Sequence, residues 1–205
     1  MKAIKFPLLY TVFTMLVLTI SSCEDTSFST TGQEFLESAF GYSKLTAKSL
    51  LSDDVSVDWC SDDLSASEMK DFLLNEIEEF KDEYKIVSDF KYRSGYTYQV
   101  WGDDYATGFY SIGSNKEYLI VLEFDKNSYE EWRIEGFELA EIKELNEEYK
   151  IEKERLANYI EEGDKDKIKE QKLYVKRAEN LIKSVTDLMP ESQIQEFKKI
   201  KAGRI

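Results

Sequence analysis

The sequence predicts an α+β protein in which helices precede a run of antiparallel strands and a helical hairpin follows it. Three patterns lead there. Met69, Phe72, Leu73, Ile77, Phe80 and Tyr84 repeat at spacings of three and four behind Ser65 and Glu68, which are set as a capping box. From Ile86 to Leu139 the apolar period drops to two, and short Gly-, Asp- and Asn-containing turns interrupt it. From Glu141 the helical period returns.

The chain begins with an address. Lys2 and Lys5 form a basic n-region, Phe6 to Ile20 an apolar h-region, and Ile20-Ser21-Ser22-Cys23 closes it. This run is shorter than the roughly 20 helical residues that cross a hydrocarbon core. The four closing residues match, position by position, the aliphatic–small–small–cysteine lipobox, and here the chain resembles a bacterial lipoprotein precursor. The resemblance implies cleavage before Cys23, acylation of that cysteine, and a cell-envelope location on a bacterial membrane, periplasmic or surface-facing. Two or more acyl chains, at about 0.8 kcal/mol per buried methylene, anchor a soluble domain stably. The organisation expected is a signal peptide at 1–22, a lipidated cysteine and flexible tether at 23–32, an α+β domain at 33–140 and a helical hairpin at 141–205.

Charge and composition exclude several chemistries. The chain holds no histidine, which removes Ser-His-Asp and Cys-His catalysis and most zinc sites. With Cys23 acylated, Cys60 is the remaining thiol, so no intramolecular disulfide forms. Glu24 to Ala140 carries 26 acidic and 10 basic residues, a net of −16, whereas 141–205 carries 15 of each. So acidic a domain repels phosphate backbones, and a nucleic-acid partner is not expected.

Within the main domain, Gln33 to Leu51 reads as two short helices broken at Gly41. Ser52-Asp53-Asp54 turns the chain, and Val55 to Trp59 alternates like a short strand. After the long helix come four strands: one through Phe90, Tyr92, Tyr96 and Tyr98 to Val100, then Tyr105 to Ile112, Glu117 to Phe124 and Tyr129 to Leu139. Gly95 and Gly136 are the expected bulges. Successive hairpins make an antiparallel meander.

This order, with Lys44-Leu45-Thr46-Ala47-Lys48-Ser49-Leu50-Leu51-Ser52-Asp53-Asp54-Val55 before the first strand, resembles the nuclear transport factor 2-like superfamily. That group includes the SnoaL-like and ketosteroid-isomerase-like proteins. The resemblance spans about 33–142 and implies a cone-shaped fold of helices on a curved sheet, with a pocket between them for a small apolar ligand. A cystatin-like fold shares some elements, but the helices before Asp53 speak against it.

The hairpin reads from Ile142, Leu145, Tyr149, Leu156 and Ile160, through a break at Gly163-Asp164, to Ile168, Gln171, Val175, Ala178, Ile182, Val185 and Met189. Pro190 ends it, and Gln193 to Lys201 forms a short third helix. Such a hairpin either packs on the main domain or projects as a contact surface for a protein partner.

Candidate chemistry is sparse. Asp53-Asp54, Asp62-Asp63 and Asp103-Asp104 supply carboxylates that calcium favours, yet each pair falls where a turn is expected and the calcium-loop pattern is absent, so no metal is expected. No cofactor is implied either. Tyr42, Asp58, Trp59, Tyr98, Tyr110 and Trp132 are the candidate pocket residues. In a ketosteroid-isomerase type of chemistry, Asp58 or Asp89 would be the base and Tyr42, Tyr98 or Tyr110 the oxyanion donor. The preferred expectation is a non-catalytic binding module; the alternative is a small isomerase or lyase.

Overall fold

The computed structural model describes residues 27–41, 43–53, 55, 64–127 and 129–203. They form an α+β fold with a four-stranded antiparallel sheet in the order β1-β2-β3-β4. The strands are β1 (Phe90–Val100), β2 (Asp103–Ile112), β3 (Asn115–Lys126) and β4 (Trp132–Glu141). Helices α1 (Ser27–Ala39), α2 (Lys44–Leu50) and α3 (Ala66–Glu83) precede the sheet; α4 (Leu145–Glu162), α5 (Lys165–Ser184) and α6 (Glu191–Lys201) follow it.

Local chemistry accounts for the element ends. Ser65 accepts from the Glu68 backbone N–H while the Glu68 carboxylate accepts from the Ser65 N–H, the expected capping box. Asp164 caps α5 through the Lys167 N–H, and Gly163, at φ 74°, ends α4 in the left-handed region that glycine adopts without steric cost. Trp101 and Gly102, both at positive φ (57° and 102°), form the two-residue loop joining β1 to β2.

The first helix corrects one expectation. It begins at Ser27, not after a flexible tether reaching Gly32. The Ser/Thr composition argues for a tether, but Phe28 is buried among Tyr92, Phe124 and Trp132, and that packing holds the first turn. The expected strand Val55 to Trp59 lies outside the described residues apart from the buried Val55.

The sheet divides the molecule into two cores. On its inner face Phe90, Ala106, Tyr110, Ile112, Ile120, Leu122, Phe124, Trp132 and Ile134 pack with Phe28, Phe35, Leu36 and Phe40 of the first helical segment and with Leu73, Leu74 and Ile77 of α3. On its outer face Phe109, Leu119, Val121 and Ala140 pack with Leu145 and Tyr149 of α4, Leu181 and Ile182 of α5, and Phe197 and Ile200 of α6. The C-terminal hairpin therefore packs on the main domain over its base. Its far half lies outside this core, and Ile160 there is 56% exposed.

Two bulges decide which side chains face which core. One falls at Arg93, between the Tyr92–Tyr110 and Ser94–Phe109 pairs, not at Gly95, which pairs with Gly108. The other falls at Glu135, next to the expected Gly136. A bulge shifts the alternation by one residue and turns everything beyond it to the other face. Tyr92 therefore faces inward beside Tyr110, whereas Tyr96 and Tyr98 face outward beside Thr107 and Tyr105.

Candidate functional site

The structure separates the residues expected to share a pocket. Tyr110 and Trp132 belong to the inner core, and Tyr98 stands on the opposite face of the sheet. Tyr42, Asp58, Trp59, Cys60 and Cys23 lie outside the described residues. The correction at Tyr98 has a backbone cause: simple alternation from Tyr92 puts it inside, and the bulge at Arg93 puts it outside.

The inner layer is tightly filled. The Tyr110 hydroxyl donates to the Ser29 carbonyl at 3.2 Å, and a Cβ added to Gly32 would stand 2.0 Å from that hydroxyl oxygen and 2.9 Å from the Phe124 ring. Close approach of α1 to the sheet thus requires glycine at that position. Burial pushes the Tyr110 phenol far above its ordinary range. It stays protonated and serves as a hydrogen-bond donor to backbone. Asp89, the other proposed base, is exposed, and its carbonyl accepts from the Gly113 N–H at 2.6 Å.

Polar chemistry gathers instead between the outer face and the hairpin, where the sequence reading did not look. The Arg177 guanidinium of α5 lies 3.8 Å from the Tyr96 ring centroid and 5.8 Å from that of Tyr174. Such cation–π contacts are worth about 0.5–2 kcal/mol, more when water is excluded. Tyr98 stacks on Tyr105 at 5.7 Å, and the buried Thr107 stands across the strand pair from Tyr96. Desolvation raises the Tyr96 and Tyr98 phenols and lowers Arg177, and the neighbouring carboxylate of Glu123 raises the phenols further. Tyr174 donates to Glu170 at 2.9 Å.

One further feature pins the hairpin, and one loads it with charge. Arg93, which follows the inward Tyr92 and so faces outward, donates to Ser111 at 2.7 Å, to both Asp187 carboxylate oxygens at 3.0 Å and to the Ser184 carbonyl at the end of α5. A cation there also complements the helix dipole. Because Arg177 meets Tyr96 while Ser184 meets Arg93, α5 runs antiparallel to β1. On α4, burial pushes the Glu148 carboxyl up to about 7, helped by Glu138 of β4 and by Glu144 and Glu152. The stripe Glu144-Glu148-Glu152, like charges four residues apart on one helix face, was the available sequence signal. Arg177 gave less: it follows Tyr174 by three residues but sits off the apolar stripe.

Chemically this layer offers donors, a shielded cation and, on its α4 side, the Glu148 carboxyl, which exchanges its proton near neutrality. Phenols held above their normal range and a lone guanidinium bind and orient; they do not exchange protons near neutrality. Among the described residues no group of three His, Cys, Asp or Glu side chains could hold a metal ion. Of the acid pairs, Asp53 bonds Lys70 and Asp104 bonds Lys126 and Gln99, while Asp54, Asp62 and Asp63 lie outside the described residues. Beside α6, Lys143, Pro190, Ser192, Gln193, Glu196 and Lys199 line an open cleft of about 470 Å³. No described helix is long and apolar enough to cross a membrane. No protein-family profile, curated protein or solved structure matches the chain.

Proposed function

We propose that the chain is a lipid-anchored protein of the bacterial cell envelope whose α+β body, a cone of the nuclear transport factor 2-like kind, is a non-catalytic binding module. The anchor rests on Ile20-Ser21-Ser22-Cys23 behind a basic and then apolar leader. The observation that carries the non-catalytic reading is the inner layer. Where that kind of fold would open a pocket, Phe28, Phe35, Phe40, Tyr110, Phe124 and Trp132 fill the described space, and the Tyr110 hydroxyl is spent on Ser29. Binding then falls to the outer surface, and the far half of the hairpin is the part presented to a protein partner. Its charges are mixed, and Ile160 is exposed at 56%.

The anchor is tested by Cys23→Ala in the full-length chain. The expected result is loss of the protein from the membrane fraction and loss of incorporated labelled palmitate; a variant that still fractionates with membranes and carries label overturns it. The partner surface is tested by a photo-cross-linker at Ile160 in cells. A cross-linked species abolished by Ala157→Glu, one turn before Ile160 on the same face, supports it, and an unshifted monomer overturns it.

A further inference from the structure

Two large aromatic side chains stand almost fully in solvent: Trp101 at 83% and Tyr129 at 82% exposure. Both sit at hairpin tips, Trp101 between β1 and β2 and Tyr129 between β3 and β4. In an antiparallel meander those two tips emerge from the same end of the sheet, opposite the Gly113-Ser114 tip. Trp101 is also an unusual occupant of its turn. Its φ of 57° is a conformation that Asn or Gly adopts more cheaply, and the exposed ring gains no packing in return.

The first helix points the same way. Phe28 at its start packs on Phe124 and Trp132, near the β3–β4 tip, while Phe40, just past its end, packs on Phe90 and Phe137. The α1 N-terminus thus opens toward the end that bears Trp101 and Tyr129. Cys23 precedes Ser27 by four residues, a span of at most about 14 Å when fully extended. From Phe124 the strand advances about 3.3 Å per residue, which carries the tip at Asn127 about 10 Å further out. The two lengths are comparable, so the span from an acylated Cys23 is short enough to bring the tips to the depth of the headgroup layer.

We propose that this sheet end seats in the headgroup layer of the membrane that holds Cys23, with Trp101 and Tyr129 as its interfacial contacts. The proposal rests on the lipid-anchor reading above. Trp and Tyr favour that layer because each has an apolar ring with a polar edge. The lipid it fits is zwitterionic: exposed Asp103, Glu130 and Glu131 crowd the tips, and Lys126 and Arg133 are already paired with Asp104 and Glu131. Anionic headgroups would be repelled.

The test uses full-length acylated protein reconstituted into phosphatidylcholine vesicles doped with lipid brominated near the carbonyl end of its chains. Tryptophan emission is read for wild type and Trp101→Phe, and flotation is scored in parallel. The expected result is bromine quenching in the wild type that is lost in Trp101→Phe, with both proteins floating. Flotation with equal quenching in the two proteins, or with none in either, overturns the seating but leaves the anchor. A wild type that fails to float overturns the anchor and the seating together. Tyr129→Ser in the Trp101→Phe background leaves flotation unchanged if acyl chains supply the anchor; its loss would mean that the tips themselves hold the membrane.

Discussion

One sheet carries two layers of opposite chemistry. Against its inner face the contacts are aromatic and aliphatic, with Phe35, Leu36, Ile77, Tyr110 and Phe124 all at 0% exposure. Against its outer face an apolar base around Tyr149, Ile182 and Val185 gives way to a polar zone of Tyr96, Tyr98, Thr107, Glu148, Gln171 and Arg177. Burying apolar surface is favourable without directional constraint, so the inner layer is the stable part of the fold. Polar groups must find partners when buried, so the outer layer is held by specific contacts and responds to pH. The first layer fixes the sheet, and the second decides how firmly the hairpin lies on it.

The largest effect therefore belongs to the inner layer. Phe124→Ala removes a fully buried ring that packs edge-on against Phe28 and also touches the space beside Gly32. The expected cost is about 3–5 kcal/mol in denaturant unfolding, read as a lower midpoint with unchanged slope. A loss under about 1 kcal/mol would mean that the inner layer is loosely packed, and the contrast between the two faces would collapse.

The next effect should appear only in the outer layer. Glu148 has a folded-state pKa of about 7 against an ordinary 4.5, so the folded protein holds an extra proton between those values. Stability from this group is thus complete below about pH 4.5, declines as pH rises toward 7, and is flat above. At about 1.4 kcal/mol per unit, the decline amounts to no more than about 3.5 kcal/mol, less what solvent screening removes. Glu148→Gln should flatten that part of the profile and make the protein more stable than wild type at pH 8. Hydrogen exchange should place the change in α4 and α5, not in the strands. Profiles of wild type and variant that run parallel would show that Glu148 is solvated.

How legible these layers were in the sequence depends on what sets them. The capping box at Ser65 and Glu68 and the strand meander follow from local chemistry and period, and both stand where expected. The α1 start did not, because Phe28 is held by residues nearly a hundred positions away, such as Phe124 and Trp132. The grouping of Tyr98 with Tyr110 failed at one backbone residue. Glycine marked the β4 bulge to within one position, but nothing in Tyr92-Arg93-Ser94 announces the β1 bulge, and that bulge alone moves Tyr96 and Tyr98 to the outer face. Bulges depend on the partner strand as much as on the strand that carries them. The outer polar zone was hidden for the same reason, since its members come from β1, β2, α4 and α5 and meet only after folding.

The finest distinction is between a cation and its shape. Arg177 lies over the Tyr96 ring at 3.8 Å, and among the described residues no carboxylate lies within ion-pair distance of it. Arg177→Lys keeps the charge but replaces a planar group that stacks by a compact ammonium that is strongly hydrated. The expected loss is about 1 kcal/mol, with α5 exchanging faster near Tyr174 and the inner core unchanged. Arg177→Met keeps the length and removes the charge. If flat packing on the tyrosines is what matters, Met should be tolerated at least as well as Lys. If the charge is what matters, Lys should be the milder change. The ranking of the two variants, measured by unfolding at one pH, decides whether the hairpin is held by the electrostatics of the guanidinium or by its packing surface.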